Sequence, residues 1–421
     1  MSDGCAEDRL LPLAAAVAAA LALVEPVRDA ETVPLLDAYS RVLAADVLAR
    51  LDTPPADHSA MDGFALFLAD VHPDQPTRLP VVGSALAGHP YQSAVPRGAV
   101  VRITTGAVVP TGPDAVVMQE QCVIAPDETW IELQPTTAAR LRPGENIRRR
   151  GEDVTAGALL LGRGRQLRPQ DVALAAGQGL TTLSVWRRPR VAVASTGDEL
   201  QEPGTILANG AIYESNRYAL IGLLRRLGCA VTDLGIVHDD PLALRTTLRA
   251  AAADHDVLLT SGGVSVGTAD WVKDVIADLG QIAFWRLAIK PGKPVACGRI
   301  GSCLTLGLPG NPVSVMVAFL LFARPLLLKL LGRPPVAPLR MRVMADFALR
   351  RKPGRREWLR ARLHADDPHG PLVRVYHTHS SGAISSLAWA EGLVELPEAC
   401  ADVVPGDPVD YLPFVGLGME D

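Results

Sequence analysis

The 421-residue sequence predicts a multidomain protein of the α/β plus β class. Short Val- and Ile-rich runs separated by Gly and Pro turns fill residues 79–133, a pattern typical of a small β domain. From residue 190, apolar runs alternate with helix-like segments, which indicates a doubly wound α/β domain. After three prolines, strand-like runs return and predict a second β domain over residues 339–421.

Turn residues and apolar spacing place the individual elements. Residues 10–50 are expected to be largely helical, and a short helix is expected over 169–178. Strands of the first β domain are predicted at Pro80–Val82, Ala99–Thr104, Ala115–Gln119 and Trp130–Leu133. The α/β domain should contain strands at Val191–Ala194, Val231–Val237, Val257–Thr260 and Cys303–Leu308, an extended run at Ile282–Ile289, and helices at Asn216–Leu227, Pro241–Ala252, Trp271–Leu279 and Val313–Leu331. The last domain should contain strands at Leu339–Val343, Leu372–Tyr376 and Val409–Leu412.

The composition is that of a globular protein without a nucleic-acid-binding face. Hydrophobic residues make up 48% and charged residues 21%, and the net charge of -5 argues against broad affinity for nucleic acid. Six scattered cysteines without a CxxC pair predict reduced thiols. The apolar run Leu10–Val24 could pass for a signal sequence, but acidic residues precede it and it is shorter than the ~18 residues of a membrane span. We therefore expect an ordinary helix, no membrane association and a cytoplasmic location.

Polar turns follow successive predicted strands of the α/β domain. They are STGDE (195–199), HDDP (238–241), SGGVSVGTAD (261–270), KPGKP (290–294) and LPGNP (308–312). Ligands of open parallel sheets bind outside the carboxyl ends of the strands, so Glu199, Asp239 and Asp270 should converge there with Lys290 and Lys293. Carboxylates suit Mg²⁺ and lysines suit oxyanions. Gly262 and Gly263, between a strand and a helix, are expected to offer backbone N–H groups to a phosphate.

Each polar segment also has a purely structural interpretation. In Asp239-Asp240-Pro241 one aspartate is needed as a helix N-cap, and Asp198-Glu199 could be a solvated turn. Outside the α/β domain, Asp62-Gly63 could be a hairpin turn, and residues 148–153 a solvated charge run. The basic residues of 350–360 could be surface or an anion-collecting rim. Recurrence of polar turns at successive strand ends favours a functional site.

Seven segments in order resemble the MoeA family of molybdopterin molybdenumtransferases, which includes the E domain of gephyrin. They are DHSAMDGFA (57–65), RITTGAVVPTGPDAVVMQE (102–120), ENIRRRGED (145–153), STGDEL (195–200), SGGVSVGTAD (261–270), KPGKP (290–294) and GLPGNPVS (307–314). The resemblance covers essentially the whole chain. It implies an elongated N-terminal and linker domain (1–55 and 150–187), an inserted β domain (56–149), a MogA-like molybdopterin-binding α/β domain (188–336) and a C-terminal β-barrel domain (337–421).

The resemblance also implies a reaction and an assembly. The reaction is the last step of molybdenum cofactor biosynthesis, in which molybdenum from molybdate enters adenylylated molybdopterin, AMP is released and Mg²⁺ assists. The assembly is a homodimer whose cleft lies between the β domain of one subunit and the last two domains of the other. A molybdopterin adenylyltransferase is an expected partner.

The resemblance assigns roles to individual residues. It implies catalytic roles for Asp62, Asp153, Asp239 and Lys290, and Mg²⁺ binding by Glu199 and Asp270. The implied substrate-binding residues are Ser261, Gly262, Gly263, Ser265, Lys293, Pro309, Gly310, Asn311 and Ser381. Two positions depart from the family pattern, because His58 stands where asparagine is usual and Arg286 where lysine is common. An arginine keeps the charge but has a forked donor geometry.

Two other functions are compatible with parts of the sequence. A molybdopterin adenylyltransferase shares the SGG-type loop in a single α/β domain, but that function would leave both β domains and the DHSAMDG segment without a role. A gephyrin-like scaffold would bind a partner through its last domain, although no long linker or adapter domain is recognisable in this sequence.

Overall fold

The computed structural model describes residues 10–264, 271–334, 336–364 and 370–419. The chain divides into two compact units. Unit 1 comprises the described parts of residues 1–44, 164–168 and 182–421, and unit 2 comprises residues 45–163 and 169–181. Unit 2 therefore interrupts unit 1 in sequence, and the finer division into four domains stays a prediction.

Unit 1 begins with a helix and a strand. These are α1 (Leu13–Ala22) and β1 (Ala30–Pro34). The small side chains of Ala16 and Ala20 are fully buried, so the alanine-rich run is a packed helix. The expectation that residues 10–50 are largely helical is wrong beyond α1. Prolines interrupt the helical pattern, and the β-branched pair Thr32-Val33 lies in β1.

Unit 2 is built mainly from strands, which confirms the predicted β domain. Its elements are β2 (Val47–Leu48), β3 (His58–Ser59), β4 (Gly63–Leu66), β5 (Thr77–Ala85), β6 (Val100–Ile103), β7 (Ala115–Met118), β8 (Cys122–Ile124), β9 (Trp130–Leu133), α2 (Pro135–Ala138), β10 (Ile147–Arg148), β11 (Leu159–Leu161) and α3 (Pro169–Gly177). Six strands form one sheet in the order β7-β4-β6-β5-β9-β8. Along β4, Phe64 and Leu66 enter one hydrophobic core and Ala65 enters another, so both faces of the sheet are covered.

The chain then returns to unit 1 and forms the α/β domain. Its elements are β12 (Thr182–Trp186), β13 (Arg190–Thr196), β14 (Leu200–Gln201), β15 (Ile212–Tyr213), α4 (Asn216–Leu227), β16 (Ala230–Val237), α5 (Pro241–Asp254), β17 (Val257–Ser261), α6 (Val272–Leu279), β18 (Gln281–Trp285), β19 (Ile289–Lys290), β20 (Ala296–Ile300), β21 (Cys303–Leu308), α7 (Pro312–Ala318) and α8 (Arg324–Leu330). β12 pairs with β1 in an antiparallel ribbon. The predicted run Ile282–Ile289 is divided between β18 and β19, and β20 was not predicted.

The central sheet has the order β16-β13-β17-β21-β20-β18. Its first four strands are parallel to one another, β20 is antiparallel to β21, and β18 is antiparallel to β20. Val191 and Val193 of β13 belong to the core formed with α4, α7 and α8, whereas Ala192 and Ala194 belong to the core formed with α5 and α6. Helices thus cover both faces, which confirms the doubly wound α/β domain.

A long apolar helix forms the centre of the first of these cores. α7 and α8 are joined by a π-helical segment, Phe319–Ala323, into a continuous helix over Pro312–Leu330. Within the described residues this is the one helix long and apolar enough to cross a membrane, and 83% of its most apolar window is buried inside the fold.

The last part of unit 1 is a closed β barrel. Its elements are β22 (Met341–Ala345), β23 (Leu349–Arg350), β24 (Arg356–His364), β25 (Leu372–Val375), β26 (Gly392–Leu396), β27 (Asp402–Val403), β28 (Pro408–Pro413) and the short helix α9 (Ser385–Trp389). The order β24-β25-β22-β28-β26 closes because β26 also pairs with β24. β19 pairs in parallel with the first two residues of β24 and so connects this sheet to the α/β domain.

Candidate active site

The carboxyl ends of three central strands lie side by side. Ser261 at the end of β17 is in register with Ser195 of β13 and with Leu308 of β21. The turns that follow these strands, 197–199, 262–264 and 309–311, therefore start at the same edge of the sheet. This is the edge where ligands of open α/β sheets bind.

The turn after β17 requires glycine at two positions. Gly262 and Gly263 have φ values of +96° and +65°. A Cβ on Gly262 would collide with the carbonyl oxygen of Thr196, and one on Gly263 would lie 2.7 Å from Thr196 Oγ1. The Gly262 N–H donates to the Leu308 carbonyl (3.0 Å). The prediction that Gly262 offers its N–H to a phosphate is therefore wrong, because the neighbouring strand end already uses it. Ser265 and Asp270 lie outside the described residues.

Asn216 connects two of the turns. Its Nδ2 donates to Ser261 Oγ (2.9 Å) and to the Gly310 carbonyl (2.6 Å), and Ser261 Oγ donates to the Pro309 carbonyl (3.3 Å). The predicted binding residues Ser261, Pro309 and Gly310 are thus brought together. The sequence interpretation recognised Asn216 only as the start of a helix. The available signal was the polar triplet Glu214-Ser215-Asn216, which spans the start of that helix.

Buried polar groups surround this connection. Glu214 Oε1 accepts hydrogen bonds from Ser195 Oγ and from the Arg217 N–H, both at 2.9 Å. Within the described part of the chain, Asn216 Oδ1 and Thr196 Oγ1 are buried without a hydrogen-bond partner. Such an unpaired group costs about 1–3 kcal/mol. A bound water or ligand group would relieve that cost.

The predicted metal-binding turn carries an exposed carboxylate. Glu199 folds back over Gly197 (φ +146°), where an added Cβ would lie 2.6 Å from Glu199 Oε2. A larger residue at 197 would therefore displace this carboxylate. Among the described residues, no group of three or more His, Cys, Asp or Glu side chains is arranged to hold a metal ion. The other predicted ligand, Asp270, lies outside the described residues.

The two aspartates before α5 have different surroundings. Asp240 is the N-cap, because its Oδ1 accepts a hydrogen bond from the Ala243 N–H (2.7 Å). Asp239 is half-buried, and its N–H donates to Asp198 Oδ1 (3.2 Å). Capping therefore explains Asp240, and Asp239 remains the candidate for chemistry.

Lys290 lies on the barrel sheet beside a buried acid. It is paired in register with Glu357 of β24, and its Nζ is 2.9 Å from Glu357 Oε1. The other oxygen of Glu357 accepts from Arg351 Nε (2.8 Å). The side chains of Glu357 and Arg351 are 4% and 3% exposed, whereas Lys290 is 45% exposed. Glu357 thus holds the ammonium group of Lys290 in place, while the Lys290 side chain remains partly open to solvent.

The remaining predicted residues of unit 1 lie on neighbouring turns. The Ser381 carbonyl accepts from the Val313 N–H (3.0 Å) at the start of α7, next to the exposed Asn311. The half-buried Lys293 accepts at its carbonyl from the Leu287 N–H (2.8 Å). Arg286 adopts a positive φ of +76°, and its guanidinium group lies 3.8 Å from the Trp285 ring centroid.

The basic segment 350–360 is not simply a surface rim. Arg360 is 2% exposed, and Nη2 donates to the carbonyls of Thr378 (2.8 Å) and Ser380 (3.1 Å). Burial first, and then the charge of Arg360, lowers the pKa of His379. Because Arg351 and Arg360 are internal, both surface interpretations are wrong for these two residues.

In unit 2 the predicted acid Asp62 is exposed and hydrogen-bonded. Its Oδ1 accepts from the Thr105 N–H (2.6 Å), and this bond, followed by one from the Thr105 side chain, holds the pKa of Asp62 below its usual value. The hairpin interpretation is wrong, because β3 pairs with β10 and β4 pairs with β6 and β7. Asp153 is also exposed, and its N–H donates to the Thr53 carbonyl (3.0 Å).

The charged segment of unit 2 is held by ion pairs. Arg149 Nη1 lies 2.6 Å from Asp57 Oδ2, and Arg150 Nε lies 2.6 Å from Asp52 Oδ2. The arginine side chains are 55% and 68% exposed, so the segment is a solvated charge run whose side chains are also ion-paired. His58 lies on β3 opposite Arg148.

Comparison with known proteins defines the class of protein. Residues 11–179 match the model of the MoeA N-terminal region (domains I and II), residues 192–329 that of a probable molybdopterin-binding domain, and residues 342–414 that of the MoeA C-terminal region (domain IV). Together these domains define a transferase of molybdenum cofactor biosynthesis.

Individual relatives agree with this class. The chain is 38% identical to molybdopterin molybdenumtransferase of Haemophilus influenzae over 385 residues, covering 91% of this chain and 94% of the relative. It is 39% identical to molybdopterin molybdenumtransferase 2 of Mycobacterium tuberculosis, covering 89% and 93%. The crystal structure of the molybdopterin biosynthesis MoeA protein from Pyrococcus horikosii superposes with a TM-score of 0.80 at 31% identity, covering 96% of this chain and 99% of that one. The chain belongs to the MoeA family of molybdopterin molybdenumtransferases.

Proposed function

We propose that this chain inserts molybdenum from molybdate into adenylylated molybdopterin and releases AMP. The observation that carries the proposal is the group of turns at the carboxyl edge of the central sheet, joined through Asn216, in a chain that matches the family along almost its full length. A strand-end cleft with glycine turns suits a phosphate-bearing substrate. The two flanking β regions, which a single-domain adenylyltransferase lacks, support insertion over adenylylation.

Mg²⁺ is the proposed cofactor, with Glu199 and Asp270 as its ligands. Mg²⁺ is commonly held by one or two carboxylates together with substrate phosphates, and the exposed Glu199 carboxylate fits that donor set. When bound, the ion would neutralise the pyrophosphate charge and polarise the phosphoanhydride. Gly197 keeps the space beside Glu199 open, so the carboxylate can reach such an ion.

Asp62 and Asp239 are proposed to take part in proton transfer. The hydrogen bonds from Thr105 fix the position of the Asp62 carboxylate and lower its pKa. Asp153, Lys290 and the other predicted binding residues except Gly262 are proposed to contact the substrates. Lys290, solvent-facing and anchored by Glu357, is suited to attract an oxyanion such as molybdate.

A homodimer and a cytoplasmic location complete the proposal. Unit 2 exposes the large apolar side chains Leu48 (55% exposed), Leu51 (38%) and Leu159 (61%). Apolar surface of this kind is typical of a face that another protein covers. A second copy of the chain fits the implied dimer, and a molybdopterin adenylyltransferase is the proposed supplier of the adenylylated substrate.

One assay separates this proposal from its rivals. The purified protein is incubated with adenylylated molybdopterin, molybdate and Mg²⁺, and AMP and active cofactor are measured. Release of AMP together with cofactor formation supports insertion. Formation of adenylylated molybdopterin from ATP and molybdopterin would instead support an adenylyltransferase. If neither reaction is detected, the result would support a scaffold. Omitting Mg²⁺ or molybdate from the incubation provides the control.

A further inference from the structure

We propose that Asn216 is a positioning residue that holds the turns after β17 and β21 in one arrangement competent to bind the substrate. This inference rests on the proposed function for the identity of the substrate. Asn216 has no assigned part in the chemistry, and it acts on the site through Ser261 and Gly310.

The hydrogen-bond chemistry fixes how the amide is oriented. The Gly310 carbonyl can only accept, so the group facing it at 2.6 Å must be the amide NH₂. The second hydrogen of the same NH₂ goes to Ser261 Oγ, which passes its own hydrogen to the Pro309 carbonyl. One amide and one hydroxyl therefore make three hydrogen bonds across the two turns. No other standard side chain of this length supplies two such donors.

The two turns are close enough to move together. A Cβ added to Gly310 would lie 3.6 Å from the Gly262 Cα, which is van der Waals contact, and the Gly262 N–H bonds to Leu308 immediately before the second turn. A shift of either turn would therefore displace the other. The Asn216 side chain fixes the spacing between the two turns, because it donates both to Ser261, immediately before the first turn, and to Gly310 within the second.

A role in building α4 does not account for Asn216. The side chain of the N-cap, Ser215, makes no capping hydrogen bond, and both recorded hydrogen bonds of the Asn216 side chain leave the helix. The residue is nevertheless only 9% exposed. A buried amide that serves two loops rather than its own helix is placed to control the geometry of those loops.

The test substitutes Asn216→Asp, which keeps the shape and removes both donors. Hydrogen exchange of peptides covering 261–264 and 308–311 should rise about tenfold in both segments, the factor expected when one to two hydrogen bonds are lost. The apparent KM for adenylylated molybdopterin should rise by about the same factor, while kcat at saturation changes much less. Asn216→Ala, which introduces no buried charge, is measured in parallel in case Asn216→Asp does not fold.

The control is Gln178→Glu, which changes another buried amide to an acid, in unit 2. Gln178 Nε2 donates to Thr53 Oγ1 (2.8 Å). Loss of this hydrogen bond should leave hydrogen exchange in 261–264 and 308–311 unchanged. The inference is overturned if a folded Asn216 variant keeps wild-type exchange in either segment, or loses kcat at unchanged KM. Wild-type protein that releases no AMP would overturn the proposed function instead. The exchange measurement needs no ligand and judges Asn216 independently.

Discussion

At Gly262 the backbone turns with φ +96° and passes against Thr196, and a side chain at that place meets two separate penalties. The first is conformational strain of about 1–3 kcal/mol at positive φ. The second is the collision of Cβ with the Thr196 carbonyl oxygen, which the backbone would have to relieve by moving. The candidate site therefore depends on a residue that itself has no reactive group.

Gly262→Ala should lower the free energy of unfolding by about 3 kcal/mol and abolish measurable AMP release. The matched control is Gly210→Ala, because Gly210 also has a positive φ (+82°) but nothing lies within 4 Å of an added Cβ. That variant should lose only about 1 kcal/mol. Urea denaturation measures both, and equal losses would show that the collision with Thr196 is unimportant.

Glu357 holds two cations that differ greatly in burial. Arg351→Met should lower the free energy of unfolding by about 3 kcal/mol, because it leaves a buried carboxylate without its buried partner. Lys290→Met should cost less than about 1 kcal/mol, because Lys290 is half-exposed and solvent already screens it. Denaturant titration of both variants tests this, and a larger loss for Lys290→Met would contradict it.

At the scale of single elements, α5 is preceded by an N-cap residue, Asp240, in the Asp239-Asp240-Pro241 segment where the sequence predicted a cap. The Asp240 side chain caps the helix through the Ala243 N–H. Asp240→Ala should therefore lower the free energy of unfolding by about 1 kcal/mol, while Asp240→Asn, which also caps well, should be close to wild type. Thermal or urea denaturation compares the two variants. If Asp240→Asn lowered the free energy of unfolding as much as Asp240→Ala, the charge of Asp240 and not its capping hydrogen bond would be the cause.

The start of β17 is held by an ion pair whose effect depends on pH. Asp256 accepts two hydrogen bonds from Arg187 (2.7 and 2.8 Å) and one from the Arg190 N–H (2.7 Å). Burial alone would raise the pKa of Asp256, but these hydrogen bonds outweigh it and hold the pKa below its usual value. The pair therefore stabilises the fold above the unfolded pKa of about 3.9, and this contribution is lost as the pH falls through the lower folded value.

Asp256→Asn should consequently lower the free energy of unfolding by about 2 kcal/mol at pH 7. The difference from wild type should begin to shrink below about pH 4, where the Asp256 carboxylate of the unfolded chain takes up its proton, and should disappear as the pH falls through the lower pKa of the folded state. Chemical denaturation at pH 7, 5 and 3.5 would be measured for both proteins. A difference that stays constant over this range would show that the charge of Asp256 is not the cause.

At the scale of the whole molecule, the proposed homodimer makes a prediction that concerns the assembly itself. The wild-type protein should have twice the 44.6 kDa mass of one chain in light scattering. Asp62→Asn and Glu199→Gln should each be inactive alone, since each removes a proposed site residue. If one subunit supplies Asp62 and its partner supplies Glu199, a heterodimer of the two variants keeps one intact site.

That heterodimer, isolated with two different affinity tags, should recover about half of the wild-type rate of AMP release. Heterodimers in which one subunit carries both substitutions and the other is wild type are the comparison, and they should have no intact site. Recovery in the comparison but not in the test heterodimer would place both residues in the same subunit's site.

Local sequence patterns predicted those parts of the fold that depend on near neighbours. β13, β17, β21, the helices α4 to α6 and the continuous helix Pro312–Leu330 begin and end within a few residues of the predicted bounds, because apolar periodicity, prolines and glycines act over short distances. The same reasoning failed for residues 30–34, which form a strand that pairs with residues 182–186. It also missed β20, whose pairing with β21 is a tertiary contact.

The sequence by itself determined the class of fold and the polar turns, because alternation, turn residues and motif order are properties of the chain. Only the tertiary structure decided which residues serve the site. Asn216 is 45 positions from Ser261 and 94 from Gly310, and Glu357 meets Lys290 through strand pairing, so neither partnership has a local signature. In the sequence, Arg351 and Arg360 look like surface residues, and only the folded structure shows that their side chains are buried. Burial and long-range hydrogen bonding depend on the packing of distant segments, and no local pattern encodes them.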